Sequence, residues 1–451
     1  MGKKLICIGG TAAGLSAASK AKRSLPDLDV LVFEKTGYVS YGSCGLPYFI
    51  GGLIKKPEDL VSLTAEDLRD KRGIRALTRH EVTKIDRARK QVLVTNLKTG
   101  EASRESYDYL VIATGAVPLV PDIPGVRAEN VFTLRTVEDG IRIREAVEGG
   151  VKNAAVVGAG PVGLELAEQF TGAGVQTTMI ELQARLLPFL PEAYAREVTE
   201  ALAKNGVALR TGTAVAEVLS RGGKVSALRL SDGKEIPADI VVLAAGIAPN
   251  TALAEDCGLS LGLKKSIVVD RAMRTSDEAV WACGDCAQTF SLITGRPVYA
   301  PLGTNANKQG RVAGANIAGE GALFDDVLLS QAFKFFDLYC AVTGMSLEAA
   351  CATGFDAAEA SIVKGDKANY YPGGIDAKLN LVFERSGGRL LGAAGIGGIS
   401  IAGRINLLAA AITAGMTVAQ LNGLDLVYTP SVAPVYDPLL IAANSALKYV
   451  K

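Results

Sequence analysis

The chain has 451 residues, 49% hydrophobic and 21% charged, which suffices for about three domains with real cores and excludes a disordered chain. Lysine and arginine (48) nearly balance aspartate and glutamate (47) at a net charge of +1, so no nucleic-acid or membrane-surface partner is predicted. Seven cysteines without framework spacing and a single histidine, His80, argue against a disulfide scaffold, most zinc sites and a Ser–His–Asp triad.

The opening MGKKLICIGG reads as a strand running into glycines rather than a signal peptide. No charge-free apolar stretch of membrane-spanning length occurs, and the most apolar region, after Ile399, carries Arg404. The expectation is a cytoplasmic protein that binds no membrane.

Lys4–Ile8 is a compact apolar run ending in Gly9-Gly10-Thr11-Ala12-Ala13-Gly14. A helical stretch follows from Leu15 to about Arg23, then a second buried strand, Val30–Phe33, ending in Glu34: a βαβ unit. The plan recurs. Asn153–Val157 is a strand, Gly158-Ala159-Gly160-Pro161-Val162-Gly163 a glycine turn, Leu164–Phe170 a helix, and Thr177–Ile180 a strand ending in Glu181. Tyr109–Ala113 runs into Thr114-Gly115-Ala116-Val117-Pro118, and Ile240–Ala244 into Ala245-Gly246-Ile247-Ala248-Pro249, so both units close on the same exit signal. From about Asp325 the glycine fingerprints cease. Alternation over Ala377–Phe383 predicts an antiparallel sheet, Asp425–Val432 a loop, and Leu407–Ala414 and Asp437–Leu447 helices. The fold class is therefore α/β, with two nested Rossmann-like dinucleotide-binding domains and a C-terminal α+β domain. The expected boundaries are 1–112 with 245–324 for the first, 113–244 for the second and 325–451 for the third.

In each fingerprint the first glycine makes the tight turn, the second admits a pyrophosphate and the third lets helix and strand approach. The acid at the end of the next strand binds ribose hydroxyls: Glu34 lies 20 residues after Gly14, and Glu181 lies 18 after Gly163. The first copy departs from the pattern with Thr11 at the middle glycine. Two dinucleotides in one chain imply electron transfer between a flavin and a nicotinamide. Gly9, Thr11, Ala12 and Gly14, with Glu34, Lys35, Thr114 and Gly115, are the expected contacts of the first. Asp285, in Trp281-Ala282-Cys283-Gly284-Asp285-Cys286-Ala287, is expected on the flavin's ribityl chain rather than beside a redox CxxC. Gly158, Gly160, Gly163 and Glu181 are the expected contacts of the second. Glu181 repels a 2′-phosphate, which favours NADH over NADPH, with Arg185 partly relieving the repulsion.

Ser40-Tyr41-Gly42-Ser43-Cys44-Gly45-Leu46-Pro47-Tyr48 predicts a helix starting at Cys44, whose N-terminus would stabilise a thiolate. No second cysteine is near, so the chemistry there needs a mixed disulfide, persulfide or sulfenic acid on Cys44. Cys7, Cys257, Cys340 and Cys351 are expected to be packing residues, and His80 a surface residue.

Over essentially its full length the sequence resembles the single-cysteine branch of the pyridine nucleotide–disulfide oxidoreductases. Ser40–Tyr48, Trp281–Ala287, Asn305–Arg311 and Ala433–Ala446 carry the resemblance. It implies FAD in the first unit, NAD(P)H in the second, and a homodimer whose active site is shared across the interface. Oxidases and peroxidases of the branch carry a histidine where this chain has Ala12. Coenzyme A disulfide reductases instead have two tyrosines that reach the partner's cysteine. Tyr370, in Asn369-Tyr370-Tyr371-Pro372-Gly373, and Tyr428, in Tyr428-Thr429-Pro430-Ser431, match them, the second with two changes after it. The resemblance places coenzyme A on Lys20, Arg23, Ser40 and Ser43. A C-terminal rhodanese domain, which some persulfide reductases of the family carry, is not expected.

Three readings follow. In the first, NADH reduces FAD, and the electrons pass through Cys44 to CoA disulfide, CoA persulfide or polysulfide. In the second, the chain is an NADH oxidase reducing O₂ at the flavin. In the third it is no enzyme but a flavoprotein redox sensor that binds CoA and NADH.

Overall fold

A computed structural model describes residues 2–451. The run Lys4–Ile8 is the centre of a five-stranded, wholly parallel sheet. Asp29–Glu34 and Ile74–Thr78 lie on one side of it, Tyr109–Ile112 and Val280–Ala282 on the other. Leu5, Ile6, Cys7, Leu110, Val111 and Ile112 are fully buried, as strands covered on both faces require. A second parallel sheet has the same plan. Asn153–Val157 is flanked by Gln176–Ile180 and Ala208–Arg210 on one side, and by Ile240–Leu243 and Val131–Thr133 on the other. Each sheet has its own three-stranded antiparallel meander, His80–Asp86 to Ala102–Ser106 in the first and Val215–Arg221 to Glu235–Pro237 in the second. The internal repeat is thus a repeat of whole subfolds. The two exit segments, Ala116–Pro118 and Ile247–Pro249, pair antiparallel with each other. Val280–Ala282 then rejoins the first sheet, which nests the second unit inside the first.

The helix Ala12–Ser24 begins three residues before the Leu15 expected from sequence, and Pro161–Gly172 begins three before Leu164. Both helices take up the last glycine of their fingerprint, Gly14 and Gly163. The small face Ala13–Ala17–Ala21 meets the helix Gly303–Ile317 at its own small residues. A Cβ at Gly310 would lie 2.2 Å from the Ala13 oxygen, and one at Gly314 2.4 Å from the Ala17 oxygen. This contact at backbone distance brings Asn307 to Ser16 (Nδ2 to Oγ, 2.9 Å) and so sets Arg311 beside the first glycine loop.

The last region is a five-stranded antiparallel sheet that includes Asp376–Glu384, as the alternation predicts. Phe333, Phe335 and Cys340 pack into the core of the second unit, and Lys334 bonds Glu168 there at 2.6 Å. The helices Ser400–Thr413 and Pro438–Ala446 pack against this sheet. The first starts seven residues before the expected Leu407. The polar residues that conceal its start turn inward: half-buried Ser400 bonds Asp366, and buried Arg404 bonds Asp366 and Asp437. No helix of the described residues is long and apolar enough to cross a membrane.

Candidate active site

The two glycine turns superpose in chemistry as well as in sequence. Gly9 and Gly158 both sit at φ 111°, in a region open to glycine. A Cβ on either would lie 2.1 or 2.3 Å from a carbonyl oxygen of the adjoining strand end, Ala113 or Ala244. Gly14 and Gly163 lie so close to the turn that a Cβ would fall 2.0 or 2.1 Å from the Gly9 or Gly158 oxygen. The middle position differs. Nothing lies within 4 Å of a Cβ at Gly160, so the polypeptide tolerates a side chain there, and Thr11 fills the matching position as the N-cap residue of its helix. Glu34 accepts from Gly10 N (2.8 Å) and Thr36 N (2.9 Å). Glu181 accepts from Ala159 N and Gln183 N, both at 2.8 Å. Both acids are thereby aimed across their glycine turn. Arg185 donates to Pro188 O at 2.9 Å, not to Glu181.

A cavity of 500 Å³ opens over the first turn. Gly9, Thr11, Glu34, Lys35, Thr114 and Gly115 line it, so six of the residues expected on the first dinucleotide share one wall. Ala12 instead lines a neighbouring cavity, as does Thr11, which belongs to both. The close glycine contacts and the ribose-binding acid fit a dinucleotide, and FAD is the group they would hold. Asp285 is held in an ion pair with Arg135 (2.8 Å), and it is Arg135 that faces the cavity. His80 is not a surface residue. It is half-buried in the cavity wall, with Nδ1 2.8 Å from the Thr78 oxygen.

Cys44 is exposed, in a 3₁₀ turn Ser43–Gly45, and the α-helix begins only at Leu46 and runs to Ile50. The expected start at Cys44 is thus displaced by two residues, with Pro47 in the first turn, where its missing N–H costs nothing. The turn is anchored to the first fingerprint: Ser40, in the left-handed region at φ 52°, donates from N to Gly10 O at 2.8 Å. Burial pushes the thiols of Cys7, Cys283 and Cys286 up, and Cys286 donates to the Ile112 and Cys283 oxygens, so the CxxC is inert. Cys340 is buried and Cys257 half-buried. Cys351 is exposed at the end of a short helix, against the expectation of a packing role.

Beside the Cys44 turn lies a cavity of 320 Å³ that reaches Ser40, Tyr41 and Gly42. Arg23, Arg72 and Arg311 line it, with Ser16 and Asn307. It continues into a second hollow of 540 Å³ bounded by Arg23, Arg72, Lys22 and Lys71. Of the four residues expected on coenzyme A, Arg23 and Ser40 are brought together here. Ser43 is exposed on the adjacent turn. Lys20 is not a wall residue: its ammonium is paired with Glu320 at 2.7 Å. Sequence reasoning missed Arg72, Arg311, Asn307 and Ser16. Arg311 and Asn307 stand in a motif that was singled out, but only the contact between glycine helices brings them to this cavity.

A further group was missed. Tyr48, four residues after Cys44, donates its hydroxyl to Glu165 at 3.4 Å. Glu165 lies on Pro161–Gly172, the helix opened by the second fingerprint, where it crosses the Cys44 helix. Burial pushes its carboxyl up to about 7, and burial with the facing Glu165 pushes the Tyr48 phenol up to about 12. Tyr370 and Tyr428 are exposed in the third region, hydroxyl to hydroxyl at 3.0 Å.

The pyridine nucleotide-disulphide oxidoreductase model matches residues 3–310, and the dimerisation-domain model of the same family matches residues 330–438. The chain belongs to this family. It is an oxidoreductase, as that family match shows. It is 39% identical over 450 residues, 98% of each chain, to the NAD(P)H coenzyme A polysulfide/persulfide reductase of Pyrococcus horikoshii. It is 35% identical, over 99% of each chain, to an NADH oxidase of Methanocaldococcus jannaschii. Among solved structures, the NAD-dependent persulfide reductase from A. fulgidus matches with a TM-score of 0.95 at 42% identity, over 99% of this chain and 83% of that one.

Proposed function

We propose that this oxidoreductase takes two electrons from NAD(P)H, with NADH preferred, and delivers them through Cys44 to the sulfur of a CoA disulfide, CoA persulfide or polysulfide. The basic cavity beside the Cys44 turn carries the reading. Arg23, Arg72 and Arg311 along one channel suit the phosphates of a CoA nucleotide, whereas Lys71 is held by Asp67 and Lys22 by the Pro26 and Leu28 oxygens; the channel ends at Gly42, two residues from the exposed thiol.

We assign FAD to residues 1–112 and 245–324, the nicotinamide to 113–244 and dimer formation to 325–451. Bound FAD would supply the two-electron exchange between nicotinamide and sulfur. Glu34 and Lys35, with the Thr114–Gly115 turn, would hold it, and Arg135, paired with Asp285, lines the same cavity. The Cys44 thiolate attacks the substrate sulfur. A Cys44 mixed disulfide forms, the substrate S–S bond breaks, and the departing thiolate takes a proton. Ala12 provides no proton, and His80 is engaged with Thr78. The phenols of Tyr370 and Tyr428, offered by a second copy of the chain, supply it. Two electrons and a proton, both drawn from NAD(P)H as hydride, then cleave the mixed disulfide, returning Cys44 to a thiolate and releasing the second thiol. The charge balance supports a protein that works without nucleic acid, and the free cysteines support a reducing compartment, the cytoplasm.

A second reading, NADH oxidation by O₂, is favoured by the likeness to the M. jannaschii oxidase. Mass spectrometry of the denatured, non-reduced protein tests the first, which expects a CoA-sized or sulfur adduct on Cys44. NADH turnover with CoA disulfide is then compared with oxygen uptake. Oxygen uptake that exceeds disulfide reduction, with Cys44 free of adduct, would install the second.

A further inference from the structure

The region after Ile399 carries a buried cation that the chemistry above does not use. Arg404 is 7% exposed and lies one turn after Ser400 on the helix Ser400–Thr413. Its Nε and Nη2 donate to the two carboxylate oxygens of Asp437, at 3.1 and 2.8 Å, and Nη2 also reaches the backbone oxygen of Asp366 at 3.3 Å. Ser400 donates to Asp366 Oδ2 at 3.0 Å. Asp366 closes the base of the loop that carries Tyr370: its Oδ1 accepts from Ile375 N (2.8 Å), and its own N donates to Ile375 O (2.9 Å). Asp437 ends the segment that carries Tyr428 and caps the next helix through Leu439 N at 2.8 Å. Nearer the phenols the two segments touch through Ala368 N to Pro430 O at 3.3 Å.

We propose that Arg404 is the positioning residue of the phenol pair, tying the bases of the Tyr370 loop and the Tyr428 segment to one helix so that the two hydroxyls stay in hydrogen-bonding register. Tyr370 is 75% exposed, and among the described residues each of these hydroxyls has the other as its hydrogen-bond partner. Their separation is therefore set where the segments are fastened. A planar guanidinium suits this task, because its fork fixes the direction of a carboxylate while a third contact reaches a carbonyl. An ammonium makes point contacts and fixes no plane. The kinetic consequence rests on the role given above to the phenols; the structural consequence does not.

The test uses the full-length flavin-loaded protein with 3-fluorotyrosine at position 428. Tyr370→Phe defines the ¹⁹F resonance of an unpaired Tyr428. Arg404→Lys is expected to move the resonance towards that value, and an unmoved resonance overturns the proposal. In stopped flow, Arg404→Lys should slow the sulfur step about tenfold or more, and should slow it no further when Tyr370→Phe is already present. Equal losses in both backgrounds would make Arg404 a general structural residue and overturn its positioning role. If Arg404→Lys loses its flavin or aggregates, Asp437→Asn, which keeps the helix cap, takes its place with the same expected shift. Should Tyr370→Phe leave the sulfur step unchanged, the phenols lose their catalytic role, and the fluorine resonance alone decides the positioning.

Discussion

Exposure does not separate the cysteine proposed to react from the rest, since Cys44 and Cys351 are both exposed. What separates them is the turn that ties Cys44 to the first glycine loop through Ser40 and to the arginine-lined cavity. Cys44→Ser should abolish reduction of CoA disulfide or persulfide while FAD stays bound and slow oxidation of NADH by O₂ persists. Cys351→Ser should match the parent in the same assays, and sulfur turnover surviving in Cys44→Ser would sink the mechanism. At the cavity, charge-assisted contacts contribute about 1.5–3 kcal/mol each. Arg23→Ala and Arg72→Ala should therefore each raise the KM for CoA disulfide about tenfold or more. Lys20→Ala should have the smaller effect, because Glu320 already holds that ammonium; a larger effect from Lys20 would show that CoA displaces Glu320. Glu181 belongs to the same scale. It should favour NADH by about 1–3 kcal/mol, and Glu181→Gln should narrow the ratio of kcat/KM for NADH over NADPH. Equal efficiencies in the parent would show another group outweighing the carboxylate.

The two strand–turn–helix elements are close copies, and glycine geometry says which copies of the motif are structural. Gly163→Ala drives a methyl into the Gly158 oxygen, so it should lower the melting temperature and weaken NADH binding together. Gly160→Ala meets open space. It should keep the melting temperature and weaken NADH binding alone, because the backbone there approaches a pyrophosphate. Unchanged NADH affinity in Gly160→Ala would show that this turn, like the first turn with Thr11, admits its dinucleotide past a side chain. These elements were legible because local chemistry imposes them: a turn that only glycine enters, a helix start, a strand-end acid. Arg72 and Glu165 were not legible, since each acts through a neighbour distant in sequence. The early start of Ser400–Thr413 was missed for a related reason. Hydrophobic periodicity treats Ser400 and Arg404 as solvent-facing, and only tertiary contacts with Asp366 and Asp437 bury them.

On the scale of the molecule, Glu165 couples folding to pH where two nested units meet. Its carboxyl is raised to about 7 by burial, whereas in the unfolded chain a glutamate ionises near 4.3. Between these values the folded chain keeps a proton that the unfolded chain has lost, so stability is full at the acid end and falls as pH rises through the window. The gap corresponds to at most about 4 kcal/mol. Glu165→Gln should melt with the parent at pH 4 and above it at pH 8. Parallel melting curves across that range would show that the carboxyl ionises freely in the folded chain. The larger plan of two parallel sheets and an antiparallel one was legible because each sheet type writes its own hydrophobic rhythm. The cavities between units were not, because no local pattern records which surfaces come to face each other.

The ribbon formed by Ala116–Pro118 and Ile247–Pro249 makes the second unit a cassette. Its two ends leave the parent fold side by side, about one strand spacing apart, near 5 Å. A gene segment inserted between such ends has no distance to span and disturbs no strand order in its host. The inserted unit carries its own sheet, meander and glycine turn, and the host closes its sheet with Val280–Ala282 after the cassette has passed. A single duplication followed by one insertion at a hairpin thus suffices to build a two-cofactor enzyme from a one-cofactor ancestor. An exchanged cassette would have to keep the outer face of Pro161–Gly172, because its Glu165 meets Tyr48 beside the Cys44 turn.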